Sequence, residues 1–163
     1  QIAVILAMKS MNNFNPQQQL DGWIQTEARK QGKKVYGLET IDIQIKVLFN
    51  SQSLQRQAEQ LFCTLMHLDL LDQMSQKMTI AYLNQDIDLI EKIMKEKMDN
   101  ACDFFPEEEE ELNYGRNANW VKLMPPTMKE KSTLFTVGSG HLPGKLGVLN
   151  MLGKQGYTIK PVK

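Results

Sequence analysis

The fold is decided by the stretch TLFTVGSGHLPGKLGVLNMLGKQGYTIKPV, which spans residues 133–162. Its residues 134–137 form a short β-prone run that is typical of a buried strand. A glycine-rich turn over 138–140 follows, and Pro143 suits the first turn of a helix. Four leucines then recur along one helical face: Leu142, Leu146, Leu149 and Leu152. Because residues 157–162 resemble a second strand, the pattern predicts a right-handed βαβ unit with parallel strands.

Upstream of this unit, helical patterns dominate. Residues 1–11 are apolar and predict a helix, and residues 17–31 predict another that ends at Gly32. Residues 33–38 predict a strand, and the segment of about 41–131 predicts a helical insert. We therefore expect an α/β fold that is helix-rich, with a small, mostly parallel sheet, a C-terminal βαβ unit and a helical insert between strands.

Three features of the insert have structural interpretations. Apolar residues from Leu54 to Leu68 keep helical spacing and predict a sustained buried face. Asp86 can cap a helix that turns Ile90 and Ile93 inward. Pro106, followed by five glutamates, is typical of a solvated helix start, because the helix dipole favours anions there.

The Met-rich segment from residue 66 to residue 98 has two interpretations. Methionine is an adaptable core filler, and this role is the one that we favour. The alternative is that these helices form a peptide-binding groove.

The composition limits the classes of function that the protein can have. The 163 residues are 42% hydrophobic and 23% charged, with a formal net charge of zero, so we expect no nucleic-acid partner. We predict a single domain over residues 1–163. Cys63 and Cys102 lack metal-ligand spacing and can form one disulfide or none, and the apolar helical setting of Cys63 favours free thiols.

Candidate chemistry lies at the ends of two predicted strands, where Glu39 and His141 stand. A parallel sheet brings such ends to one edge, so these side chains could meet there. A histidine and a carboxylate suit Mn, Co, Fe or Zn, and a carboxylate can instead act as a general base. Arg116 could hold a substrate carboxylate or an oxyanion. The structural alternatives are a hydrogen-bonding role in the turn for His141, a helix cap for Glu39, and loop anchors for Arg116 and Asn117.

These residues resemble the TraB/PrgY/GumN family, which includes the TIKI proteases. The match covers roughly residues 16 to 162 and rests on five blocks: Leu20-Asp21, Gly32 to Thr40, Arg116-Asn117 with Trp120, Phe135 to Gly147, and Gly156-Tyr157. The block from Phe135 is the most specific, because it combines a Gly-x-x-His motif with a following Gly-x-x-Gly.

The resemblance implies a metal-dependent hydrolase, in particular a peptidase that uses Mn or Co, with Zn as a further candidate metal. It implies a peptide or small polypeptide substrate, His141 and Glu39 as metal ligands and catalytic residues, and Arg116 as a catalytic and substrate-binding residue. Asn117 would bind substrate beside it. The family's first Gly-x-x-His motif is absent, and His67 does not replace it.

This gap and the mid-helix start lead us to expect a C-terminal fragment of a longer TraB/GumN-like domain. Exposed sheet edges would then favour homo-oligomers. The resemblance implies a bacterial protein that is periplasmic, envelope-attached or secreted, with membrane or envelope association of the intact protein. Two other hypotheses are a non-catalytic protein that binds and sequesters a peptide, and a structural remnant within an assembly.

Overall fold

The structure, a computed structural model, describes residues 19–98 and 101–162. The helix predicted over residues 1–11 lies outside these ranges. The chain divides into two compact units, one up to Thr40 and one from Ile41 onward. The α-helices of the described residues are α1 (Leu20–Lys30), α2 (Ile41–Ile45), α3 (Leu54–Met66), α4 (Leu68–Leu83), α5 (Ile87–Met94), α6 (Pro106–Glu109), α7 (Gly115–Glu130) and α8 (Val148–Lys154). Wider π-helical turns extend α2 over Lys46–Asn50 and join α6 to α7 over Glu110–Tyr114.

The predicted sheet is wrong: residues 19–98 and 101–162 contain no β-strand. The three β-prone runs, 33–38, 134–137 and 157–162, have no regular secondary structure. Leu134 is 74% exposed and Val162 is 92% exposed, so the last two runs do not pack as buried strands. A strand gains its stability from a paired neighbour and from burial, and propensity alone does not supply either. The helical part of the prediction stands, and the α/β assignment does not.

The first unit contains α1, which the sequence predicted. Asp21 lies in its first turn and Lys30 in its last, where each charge complements the helix dipole. The helix ends as expected at Gly32, whose N–H donates to the carbonyl of Arg29 at 3.0 Å, while the Lys33 N–H donates to Ala28 at 2.9 Å. These two bonds satisfy carbonyls that the helix would otherwise leave unpaired.

The second unit has two small apolar cores. In the first, Ala81 of α4 packs against Ile90 and Ile93 of α5. The side-chain oxygen of Asp86 accepts the Leu89 N–H at 2.9 Å, which confirms the predicted cap and fixes the start of α5. The second core joins α7 to α8 and buries residues at helical spacing on both: Trp120, Val121, Met124, Val148 and Leu152.

The buried leucine face predicted from Leu54 onward is wrong. The helices exist, but Leu54 is 83% exposed, and Leu65 and Leu68 are exposed as well. A break at His67 separates α3 from α4, so the periodic pattern does not continue along one axis. Helical spacing predicts which residues share a face, but it does not supply the partner that would cover that face.

The favoured interpretation of free thiols is also wrong, because Cys63 and Cys102 form a disulfide. Arg56, which is two turns before Cys63 on α3, reinforces the same link. Its guanidinium donates to the carbonyl of Ala101 at 2.9 Å and to that of Asp103 at 2.6 Å. The segment around Cys102 is therefore held to α3 by a covalent bond and by hydrogen bonds.

The helix predicted from Pro143 begins later, at Val148. Gly144 has a φ of +82°, a left-handed conformation that interrupts the right-handed helix. Residues Ser139–His141 form a 3-10 turn instead, and this turn packs against α5. No helix among the described residues is long and apolar enough to cross a membrane.

Candidate functional site

His141 stands at the end of the 3-10 turn, where two hydrogen bonds, each between residues three positions apart, fix the backbone. The His141 N–H donates to the carbonyl of Gly138 at 2.9 Å, and the Leu142 N–H donates to Ser139 at 3.1 Å. Gly140 lets α5 approach closely, because a Cβ at this position would lie 3.0 Å from the Sδ atom of Met94. The Gly-x-x-His segment is thus a packed turn that presents an imidazole.

Asn117 of α7 determines how that imidazole is held. Asn117 is 1% exposed, and its Oδ1 lies 2.7 Å from Nδ1 of His141. The Nδ2 of the same amide donates to the carbonyl of Leu146 at 2.9 Å and to that of His141 at 3.4 Å. Since the amide nitrogen faces two carbonyls, Oδ1 is the atom that accepts a hydrogen from Nδ1. In the neutral ring, Nε2 therefore carries the lone pair, as a ligand or general base requires.

Trp120 links this histidine to Arg116. The Trp120 ring centroid lies 4.6 Å from that of His141, with 53° between the planes. The Cζ atom of Arg116 lies 4.9 Å from the Trp120 ring centroid, within the range of a cation–π contact. Because residues 116, 117 and 120 lie within about one turn of α7, this turn carries Asn117 and Trp120, which contact the imidazole, and Arg116, which contacts Trp120.

Arg116 also makes contacts that do not involve Trp120. One of its guanidinium nitrogens donates to the Leu112 carbonyl at 3.0 Å, one helical turn earlier. Arg116 also lines a cavity of about 660 Å³ together with Lys46 and several glutamates, among them Glu110 and Glu111. A ligand that enters this cavity reaches the arginine beside carboxylates, so the local charge is mixed.

Of the predicted site residues, Asn117 contacts His141 directly, and Arg116 is connected to His141 through the ring of Trp120. Asn117 also fulfils the structural alternative, because it ties the loop at Leu146 to α7. Glu39 lies in the first unit, just before α2, and its part in a shared site stays a prediction. The sequence placed Glu39 near His141 because both would follow strands at one sheet edge. This reason does not apply, because residues 19–98 and 101–162 form no sheet.

The described residues contain no group of three or more His, Cys, Asp or Glu side chains that could hold a metal ion. His141 by itself has the chemistry of one ligand position: its Nδ1 is anchored by a side chain, and metal-bound histidines usually have such an anchor. The described residues thus provide a metal ion with one oriented imidazole and with no complete set of ligands.

Four methionines line a groove that ends near this turn. Met74 and Met78 of α4, Met94 of α5 and Met98 lie along a cavity of about 600 Å³, and Ser139 lies at the same cavity. Met78 packs against the core of Ala81, Ile90 and Ile93, as the filler interpretation requires. No pattern in the sequence indicated that Met94 contacts Gly140, because that contact joins segments more than forty residues apart.

These features define a mostly helical protein in which a Gly-x-x-His turn presents one imidazole, oriented by a buried asparagine. A family model then gives the particular relationship. The chain belongs to the TraB/PrgY/gumN family, whose model matches residues 1–161. This match confirms the resemblance that the sequence blocks indicated. No curated protein and no solved structure matches the sequence.

Proposed function

We propose that this chain is part of a metal-dependent peptidase of the TraB/PrgY/gumN family. The observation that supports the proposal most directly is the 2.7 Å hydrogen bond between Asn117 and His141, which orients the imidazole of the Gly-x-x-His turn. A buried amide with both of its polar atoms engaged is a rigid support, and rigid support is what a ligand or a proton-transfer group needs.

The proposed metal is Mn or Co, with Zn as a further candidate. A divalent ion polarises a carbonyl and makes water more acidic. His141 would hold the ion through Nε2, and Glu39 would be a second ligand or the base that accepts a proton from the attacking water. Arg116 would donate to the peptide or to the developing oxyanion, and Asn117, whose amide is buried, would contribute to substrate binding by keeping the imidazole in place.

The disulfide supports a location outside the cytoplasm. Disulfides persist in oxidising compartments and are rare in a reducing cytosol. The bond between Cys63 and Cys102 therefore agrees with the proposal that the intact protein is periplasmic, envelope-attached or secreted in a bacterium. We also propose that the protein self-associates. The reason is no longer exposed sheet edges but exposed apolar side chains such as Leu54 and Leu83.

The second candidate function is peptide binding without catalysis, and the groove lined by methionines favours it. Methionine-lined surfaces adapt to varied apolar partners, as the flexible thioether side chain allows. In this function His141 would be a structural residue of the turn.

The test compares the intact protein with two histidine variants. Peptide cleavage would be measured with Mn or Co added, for the unaltered protein, for His141→Ala and for the matched control His67→Ala. We expect metal-stimulated cleavage that His141→Ala removes and His67→Ala retains. Cleavage that survives His141→Ala would refute the assignment. Saturable peptide binding without cleavage, unaffected by a chelator and by His141→Ala, would establish the second function.

A further inference from the structure

The groove lined by methionines has an apolar floor. Met74 and Met78 stand one helical turn apart on α4, whereas Met94 is the last residue of α5 and Met98 lies in the segment that follows it. Leu71 and Ile93 add further apolar surface to the same cavity. The volume of about 600 Å³ falls within the range of about 300–1,000 Å³ that is usual for ligand pockets.

The charged side chains along this groove are engaged with protein partners. Nζ of Lys97 lies 2.7 Å from Oε1 of Glu109 and donates to the Phe104 carbonyl at 3.1 Å. Glu96 pairs with Lys77 at 3.7 Å, and the carboxylate of Asp103 accepts the Met98 N–H at 2.9 Å. Each of these charged groups has a partner in the protein, and the three carboxylates outnumber the one lysine, so the groove offers an uncharged or apolar side chain its apolar floor.

The groove adjoins the turn that carries His141. Ser139 lines the groove and belongs to the same 3-10 turn as His141. Met94 joins the two features, since it lines the groove and packs against Gly140. A peptide whose backbone passes His141 can therefore place a side chain in the groove.

We infer that this groove binds an apolar side chain, such as leucine or phenylalanine, of the peptide on which the proposed site acts. The inference rests on the proposed function, because that function supplies the peptide. The occupant is an extended segment with an uncharged side chain close to the scissile bond. An anionic side chain would lose its hydration in the groove and lie near the carboxylates that line it.

The experiment measures binding separately from cleavage. Short fluorescent peptides that share an alanine backbone and carry leucine, phenylalanine or aspartate at one position would be titrated against the full chain carrying His141→Ala. Binding would be followed by fluorescence anisotropy. We expect the leucine and phenylalanine peptides to bind roughly ten- to a hundredfold more tightly than the aspartate peptide, as burial of one large apolar side chain implies.

Three further variants test the location. Met74→Glu places a carboxylate in the groove and should remove most of the preference for leucine, whereas Met74→Leu keeps the apolar surface and should retain it. Met66→Glu is the matched control, because Met66 is exposed on α3 and does not line the groove. Should Met74→Glu fail to fold, Ser75→Glu puts the same charge at an exposed groove position.

The outcomes separate the inference from the proposed function. Leucine-peptide binding that is unchanged in both Met74→Glu and Ser75→Glu would overturn the inference, and so would an equal loss in Met74→Leu and Met74→Glu. Groove-dependent binding by a protein that never cleaves peptides would support the inference and refute the peptidase. Cleavage that depends on His141 but is insensitive to all groove variants would refute the inference and leave the peptidase standing.

Discussion

Replacing Arg56 with methionine should destabilise the second unit strongly. Arg56 is 8% exposed, and its guanidinium makes four hydrogen bonds: two to the Glu108 carboxylate at 2.8 and 2.9 Å, and one each to the carbonyls of Ala101 and Asp103. Its Cζ also lies 4.2 Å from the Phe105 ring centroid. One side chain thus holds the segment around Cys102 and the start of α6 to α3.

The expected loss follows from what Arg56→Met leaves behind. The Glu108 carboxylate would stay largely buried, and it would keep two partners, the Phe105 N–H at 2.9 Å and the side chain of Gln52. Removing one member of a buried ion pair typically costs about 3–5 kcal/mol. We expect a loss of about 3 kcal/mol in the free energy of unfolding, at the lower end because Glu108 keeps these hydrogen bonds. This loss is a large fraction of the stability of an ordinary domain.

Urea unfolding at neutral pH, followed by circular dichroism with the disulfide intact, measures the effect. The matched control is Lys46→Met, which removes an ion pair of 3.3 Å with Glu111 that is far more exposed. Such surface pairs contribute at most about 1 kcal/mol. The double variant Arg56→Met/Glu108→Gln should recover about half of the loss, because glutamine leaves no unpaired charge.

A loss below about 1 kcal/mol for Arg56→Met, no greater than that of the Lys46→Met control, would refute this reasoning. It would show that the guanidinium contacts do not hold the Cys102 segment, and that the disulfide and apolar packing suffice.

Three further predictions concern the same unit. Replacing Cys63 and Cys102 with alanine removes a disulfide between residues that are 39 positions apart and should lower the free energy of unfolding. The loss of chain entropy in the unfolded state that the disulfide causes corresponds to about 4 kcal/mol. A change below about 1 kcal/mol in urea unfolding would contradict this prediction. The hydrogen bond from Arg56 lowers the pKa of Glu108 in the folded protein, so this stabilisation is complete above the unfolded value of about 4.3 and is lost as the pH falls through the lowered value. In acid titrations followed by circular dichroism, the unaltered protein should therefore lose more stability than Glu108→Gln, and parallel curves would contradict the prediction. Gly140→Val should cost about 1–3 kcal/mol in thermal unfolding, because its side chain would press on Met94, and Met94→Ala should relieve part of that cost; a cost that Met94→Ala leaves unchanged would show that the strain lies elsewhere.

The sequence determined the local structure well where the signal was local. Helix α1 and its end at Gly32, the Asp86 cap of α5 and the start of α6 at Pro106 all lie where the pattern predicted them. Each depends on residues within a few positions along the chain, since a cap or a terminal glycine acts on its own helix. The Gly-x-x-His block and the Arg116-Asn117 pair likewise indicated the family correctly.

Local signals of this kind could not predict whether a sheet forms. The run over residues 134–137 has the composition of a strand, but a strand forms only when another pairs with it, and that depends on distant segments. The buried face predicted from Leu54 failed for a related reason, because periodicity does not reveal whether another element covers it.

The sequence by itself therefore determined several of the helices, some of their ends and the family. Only the tertiary structure decided that Asn117 binds the ring of His141, that Trp120 lies between His141 and Arg116, that Cys63 and Cys102 are bonded, and that four methionines share one groove. Helix ends depend on neighbours along the chain, and so does the contact between Arg116 and Trp120 within α7. The contacts of His141, the disulfide and the groove instead join segments whose meeting depends on how whole helices pack.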